Sequence, residues 1–140
     1  MTDRPSLGRV MMVDDDQVDQ MLYHRIIRRH ADVEELVSFN YASDALDYLA
    51  DESNPRVDVI FLDVNMPRMT GFEFLEAATE RLGPHFAGAV VVMLTTSLDP
   101  RDRERAARFD VVRAYVNKPL VAEHLLDVTT HLAGPATPLH

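Results

Sequence analysis

Five side chains of this sequence could together do phosphoryl chemistry: the carboxylates of Asp14, Asp15 and Asp63, the Thr95 hydroxyl and the Lys118 ammonium. Each stands at or just past the end of a short apolar run. Arg9–Val13 runs into Asp14-Asp15-Asp16, Val57–Leu62 into Asp63, Ala89–Leu94 into Thr95-Thr96-Ser97, and Ala114–Val116 into Asn117-Lys118-Pro119. Three acids at close range need a counter-charge. A hard divalent cation such as Mg²⁺ takes oxygen ligands and keeps coordination places that a phosphoryl oxygen can fill. Lys118 adds a second positive charge. A carboxylate in that setting can attack a phosphorus atom in line, because metal and ammonium offset the charge on the transferring oxygens, and the Thr95 hydroxyl can donate to the product.

The elements that must position these groups follow from periodicity. Val57–Leu62 is apolar enough to be buried on both faces, and Asp63 closes it before Pro67 and Gly71 break the backbone. Arg9–Val13 and Ala89–Leu94 read as interior strands too. Glu34–Phe39, which mixes acids with apolar residues, and the short Ala114–Val116 suit the two edges. Between them lie helical patterns. Gln17–His30 sets Val18, Met21, Leu22 and Ile26 at helical spacing, with acids at its start and Arg25, Arg28, Arg29 and His30 at its end. Ser43 is a candidate cap for a helix to Ala50, and Phe72, Leu75, Thr79 and Leu82 share a face that stops at Gly83-Pro84. Asp99-Pro100 opens a helix that is nearly all charge and has only Ala106, Ala107 and Phe109 to bury. The last helix buries Val121, Leu125, Val128 and Leu132. Strict β-α alternation, five times over, predicts an α/β fold: a doubly wound, flavodoxin-like parallel sheet of five strands in the order 2-1-3-4-5, with five helices on its two faces. The expected division is a polar lead over residues 1–8, one domain over 9–133 and a disordered Pro/Gly tail over 134–140.

Length and composition exclude several classes. The 140 residues suffice for a single domain. A formal charge of −9 disfavours direct nucleic-acid binding and attraction to an anionic membrane. Without cysteine there is no disulfide framework or thiolate site, and no apolar run reaches membrane-spanning length. The start, MTDRPSLGRV, lacks an apolar signal core, so a soluble cytoplasmic protein is the expectation.

Over residues 9–133 the motifs VDDD, FLDVNMP, MLTTS and YVNKP, in that order, resemble the receiver domain of two-component response regulators. The resemblance implies that Asp14 and Asp15 hold Mg²⁺, that Asp63 accepts a phosphoryl group from a histidine kinase or phosphotransfer protein, and that the Asn65 carbonyl completes the metal site. It makes Thr95 and Tyr115 the switch pair and Lys118 the phosphate-binding lysine, with a cis bond to Pro119. Such a domain is a phosphoacceptor that catalyses only its own phosphorylation and dephosphorylation. Its output is contact with a downstream protein or a second copy, for which the face of the fourth helix, fifth strand and fifth helix is the expected surface. Two positions depart mildly from the family's habit: Thr96 is bulkier than the usual alanine or serine, and Asn117 replaces an apolar residue.

Rival readings attach to the same residues. Asp14-Asp15-Asp16-Gln17-Val18 also fits the D-x-D-x-[TV] opening of haloacid-dehalogenase-like phosphatases, with Asp14 as nucleophile and Asp16 as acid. That family needs a further acidic pair after the lysine, and only the separated Glu123 and Asp127 follow. Asp16 reads better as the cap of the first helix. Tyr115 could simply pack on a neighbour. The six histidines lack ligand spacing, and Met11, Met12 and Met93 read as core.

Overall fold

The computed structural model describes residues 4–133; the expected tail over 134–140 and the first three residues lie outside the described residues. The strands are β1 (Ser6–Val13), β2 (Asp32–Phe39), β3 (Val59–Asp63), β4 (Val90–Thr95) and β5 (Val112–Asn117). The helices are α1 (Gln17–His30), α2 (Ala42–Ala50), α3 (Gly71–Leu82), α4 (Pro100–Ala107) and α5 (Ala122–Ala133). All neighbouring strands are parallel, in the order β2-β1-β3-β4-β5. This is the flavodoxin-like arrangement that the alternation predicts.

Alternate residues of each interior strand feed two cores, as a period of two requires. Met11, Val13, Ile60, Leu62, Val91 and Met93 face α2, α3 and Ala106 of α4. Val10, Met12, Val59, Phe61, Val92 and Leu94 face Tyr23 and Ile27 of α1 and Leu125 and Val128 of α5. The three interior strands, β1, β3 and β4, are sheathed on both sides, so their carboxyl ends are held in place by the two cores.

Several local expectations change. The face of α1 turned to the sheet is Gln20, Tyr23 and Ile27, whereas Val18, Met21 and Leu22 are exposed. The cause is polar. Gln20 Nε2 donates to the carbonyls of Asp14 (2.7 Å) and Phe39 (2.9 Å), closing the loops that leave β1 and β2, and this turns the helix away from its most apolar stripe. Ser43 is not a cap: α2 begins at Ala42, and Tyr41 occupies the cap position without a side-chain bond. The lead also contributes structure. β1 starts at Ser6 with Leu7 buried, and the Arg4 guanidinium donates to the carbonyls of Arg28, Arg29 and Ala31, capping the end of α1. Gly8, at φ 73°, sits in a bulge where a Cβ would strike the Asp58 carboxylate, which itself accepts from the Arg9 N–H at 2.9 Å.

Downstream of Asp63, Thr70 and Glu73 form a reciprocal capping box that starts α3, a T-x-x-E signal present in the sequence. The preceding loop is drawn tight by the Gly71 N–H on the Val64 carbonyl, 2.8 Å. A Cβ at Gly71 would lie 2.7 Å from the Asp63 carbonyl oxygen, so glycine is what lets this loop fold back on the end of β3. Gly83 ends α3 as expected, and Gly83–Gly88 continues as a 3-10 segment. Asp99 caps α4 by accepting from the Arg101 N–H, with Pro100 in the first turn, and α4 buries only Ala106. No helix among the described residues is long and apolar enough to cross a membrane.

Candidate functional site

The carboxyl ends of β1, β3, β4 and β5 converge at one rim, where open α/β sheets place their ligands. Asp14 follows β1 and is buried, its Oδ1 accepting from the Asp16 N–H at 2.9 Å. Asp15 beside it is exposed. Asp63 ends β3 and is 5% exposed, and Thr95 ends β4 fully buried. Lys118 follows β5, anchored by its own N–H on the Thr95 carbonyl at 2.8 Å. Its Nζ reaches Asp63 at 3.2 Å, Asp14 at 3.4 Å and Asp19 at 2.8 Å. The Lys118-Pro119 bond is cis.

Carboxylate oxygens of Asp14, Asp15 and Asp63 all lie within 4.8 Å of one another. A hard, all-oxygen donor set of that size fits Mg²⁺. The electrostatics show the same crowding. Burial, then the charge of Asp14, pushes the Asp63 carboxyl up to about 7, against the opposing pull of Lys118 and of the Asn65 N–H that donates to it. Burial also raises Asp14, partly offset by the Asp16 N–H and by Lys118. For Lys118, burial alone would lower the pKa, but the hydrogen bond to Asp19 and the charges of Asp63, Asp14 and Asp19 prevail and raise it. At neutral pH the ammonium is fully charged and Asp63 is poised between its two forms.

Asp16 is occupied elsewhere. Its Oδ1 accepts from the N–H groups of Val18 and Asp19, the capping role expected of it. Asn65 is exposed, with its backbone N–H directed at Asp63; its carbonyl enters the site only through the resemblance.

Sequence reasoning missed Asp19 and Gln20. An acid in the first turn of a helix reads as a dipole partner, and a glutamine as a solvated one. The spacing of Asp19, one helical turn after Asp15, is the signal that could have flagged it. Asn117 has a visible use: its Nδ2 donates to the Ser97 carbonyl at 2.8 Å. Ser97 in turn donates its N–H to Thr95 Oγ1 (2.9 Å) and its hydroxyl to Asp102 of α4 (2.6 Å). The Thr95 hydroxyl is thereby tied through one residue to α4 and β5.

Tyr115 is turned inward and is 7% exposed, with Arg103 of α4 5.1 Å above its ring and donating to its main-chain carbonyl at 3.2 Å. Among the described residues, its buried hydroxyl has no hydrogen-bond partner. Burial raises the Tyr115 pKa, with Thr95 beside it acting in the opposite direction. An unsatisfied buried hydroxyl costs about 1–3 kcal/mol. Tyr115→Phe is therefore expected to stabilise the unphosphorylated protein by about 1 kcal/mol, read as a higher urea midpoint at unchanged m; a lower midpoint would show that the hydroxyl is partnered in solution.

A cleft lies at the opposite end of the sheet, lined by Tyr48, Asn54, Arg56, Arg81 and Phe86 among others. It gathers none of the groups above.

The family model of the response regulator receiver domain matches residues 10–130, and the chain belongs to that family. It is similar to the crystal structure of a two-component response regulator from Cytophaga hutchinsonii, with 32% identity and a TM-score of 0.82 over 91% of this chain and 97% of that one. Chemotaxis protein CheY4 of Vibrio cholerae matches at 30% identity and a TM-score of 0.67, covering 90% of this chain and 98% of that one. The sensory/regulatory protein RpfC of Xanthomonas campestris pv. campestris is 29% identical over 92% of this chain, which spans only 18% of RpfC.

Proposed function

We propose that this receiver domain works in the cytoplasm and accepts a phosphoryl group on Asp63, in a Mg²⁺-dependent reaction, from a histidine kinase or phosphotransfer protein. The observation that carries the reading is Asp63 at the end of the central strand, with the Lys118 ammonium at 3.2 Å and Asp14 and Asp15 beside it. An Asp63 carboxylate oxygen forms the new bond to phosphorus as the P–N bond of a phosphohistidine breaks, leaving the donor's imidazole with the electron pair. Lys118 offsets negative charge on the transferring oxygens, and Thr95 turns its hydroxyl to one of them. Asp14, Asp15, Asp63 and the Asn65 carbonyl would hold the cation. When bound, Mg²⁺ supplies a Lewis-acid charge that favours ionised Asp63 and the in-line geometry. Incubation with acetyl phosphate and Mg²⁺ should add one phosphoryl group by intact mass, and addition of a chelator or the Asp63→Asn change should abolish it. A native protein that stays unlabelled would refute the reading.

The output we assign to the face of α4, β5 and α5, as a surface for a downstream protein or a second copy. α4 is lightly anchored, with Ala106 as its one buried residue, and the Thr95–Ser97–Asp102 bonds connect it to the site. Movement of Thr95 toward a phosphoryl group strains those bonds and biases α4 and Tyr115 together. Phosphorylation is expected to change partner affinity, or self-association, by about 1–3 kcal/mol. The check is binding measured with and without trifluoroberyllate, in the native protein and in Thr95→Ala. Equal responses in the two proteins would remove Thr95 from the mechanism.

A further inference from the structure

Lys118 is shared between the acids of the site and one acid outside it. Its bond to Asp19, at 2.8 Å, is the shortest of the three, against 3.2 Å to Asp63 and 3.4 Å to Asp14. Asp19 stands in the first turn of α1, and its carboxylate is not in the group that could hold a metal. An ammonium has three N–H donors, so in the metal-free protein each has a carboxylate partner. Two of those partners are wanted by other ligands. A cation on Asp14 and Asp63 repels the ammonium, and a phosphoryl group on Asp63 attracts it.

We infer that Asp19 is a positioning residue that acts through Lys118: it draws the ammonium toward α1, which favours cation binding on Asp14, Asp15 and Asp63 and opposes capture of a phosphoryl group. The inference rests on the reading of Asp63 as phosphoacceptor. Asp19 is also the exchangeable partner, because its side chain is 26% exposed, whereas those of Asp14 and Asp63 are 2% and 6% exposed. Released from Lys118, it is the one that can return to water at little desolvation cost. The pairing thus sets how far the lysine must be competed away before the site holds an acyl phosphate.

The test compares native protein, Asp19→Asn, Lys118→Met and the double variant by calorimetric titration. Mg²⁺ is titrated alone, then trifluoroberyllate at saturating Mg²⁺. Asp19→Asn is expected to weaken Mg²⁺ and to tighten trifluoroberyllate, each by about fivefold, as loss of a charge-assisted bond at a partly exposed site implies. Asp19→Glu should restore both toward native. In the Lys118→Met background the Mg²⁺ affinity should no longer respond to Asp19→Asn. A merely structural role would weaken both ligands together, and a through-space charge would persist without Lys118; either result overturns the inference. Circular dichroism verifies folding, and Asp19→Ser replaces Asp19→Asn if that variant does not fold. Native protein that fails to bind trifluoroberyllate would refute the phosphoacceptor reading itself, whereas normal native binding with an unresponsive Asp19→Asn would refute only the role of Asp19.

Discussion

Replacing Lys118 with alanine is expected to destabilise the metal-free protein at pH 8 by about 3–5 kcal/mol, the usual cost of removing one partner from a buried ion pair. The ammonium is the nearest cation to Asp14, Asp19 and Asp63, two of which are buried. Its loss leaves those two carboxylates in low dielectric, close to Asp15. Their repulsion has three remedies, and each should recover part of the loss: protonation at lower pH, Mg²⁺, or a second change, Asp63→Asn. The double variant Lys118→Ala/Asp63→Asn should be more stable than Lys118→Ala alone. Urea unfolding with and without Mg²⁺ measures all of these, and a Lys118→Ala protein as stable as native at pH 8 would show that the acids do not depend on the lysine.

Asp63→Asn is expected to act with the opposite sign. The Asp63 carboxyl sits near 7 in the folded protein against an ordinary 3.8 when unfolded. Between those values the folded state binds the extra proton, so this group's stabilising contribution is complete below about pH 4 and is lost as pH rises through 7. Asp63→Asn removes that loss. Its stability advantage over native, measured without metal, should therefore widen from pH 5 to pH 8. Mg²⁺ acts over the same range, because its ligands must be ionised before they bind it. Tenfold excess over Kd corresponds to about 1.4 kcal/mol of stabilisation. The rise in Tm on adding Mg²⁺ should be larger at pH 8 than at pH 5 and should vanish in Asp15→Asn. A native Tm that increases from pH 5 to pH 8 without metal, relative to Asp63→Asn, would contradict the crowding of the site.

The three interior strands were legible because each is an apolar run stopped by a polar residue, Asp14, Asp63 or Thr95. Strand order followed from which runs were apolar throughout. Helix orientation was harder. The α1 stripe of Val18, Met21 and Leu22 has the right spacing for a core face, but two hydrogen bonds from Gln20 to loop carbonyls outweigh it, and such bonds have no one-dimensional signature. Asp19 was hidden for a related reason: its meaning depends on Lys118, ninety-nine residues away. Arg4 shows the same limit, since its carbonyl partners on α1 are 24 to 27 residues distant. By contrast the Thr70-Glu73 capping box is local and could have been read directly, as Asp99-Pro100 was.

Trapping the phosphoryl group and locating it tests the central claim most directly. Protein treated with acetyl phosphate and Mg²⁺ is reduced with borohydride, which converts an aspartyl phosphate to homoserine, and the peptides are sequenced by mass spectrometry. The account predicts homoserine at position 63 alone, and none in Asp63→Asn. Homoserine at position 14 would instead support the phosphatase-like reading with Asp14 as nucleophile and would contradict the assignment of Asp63.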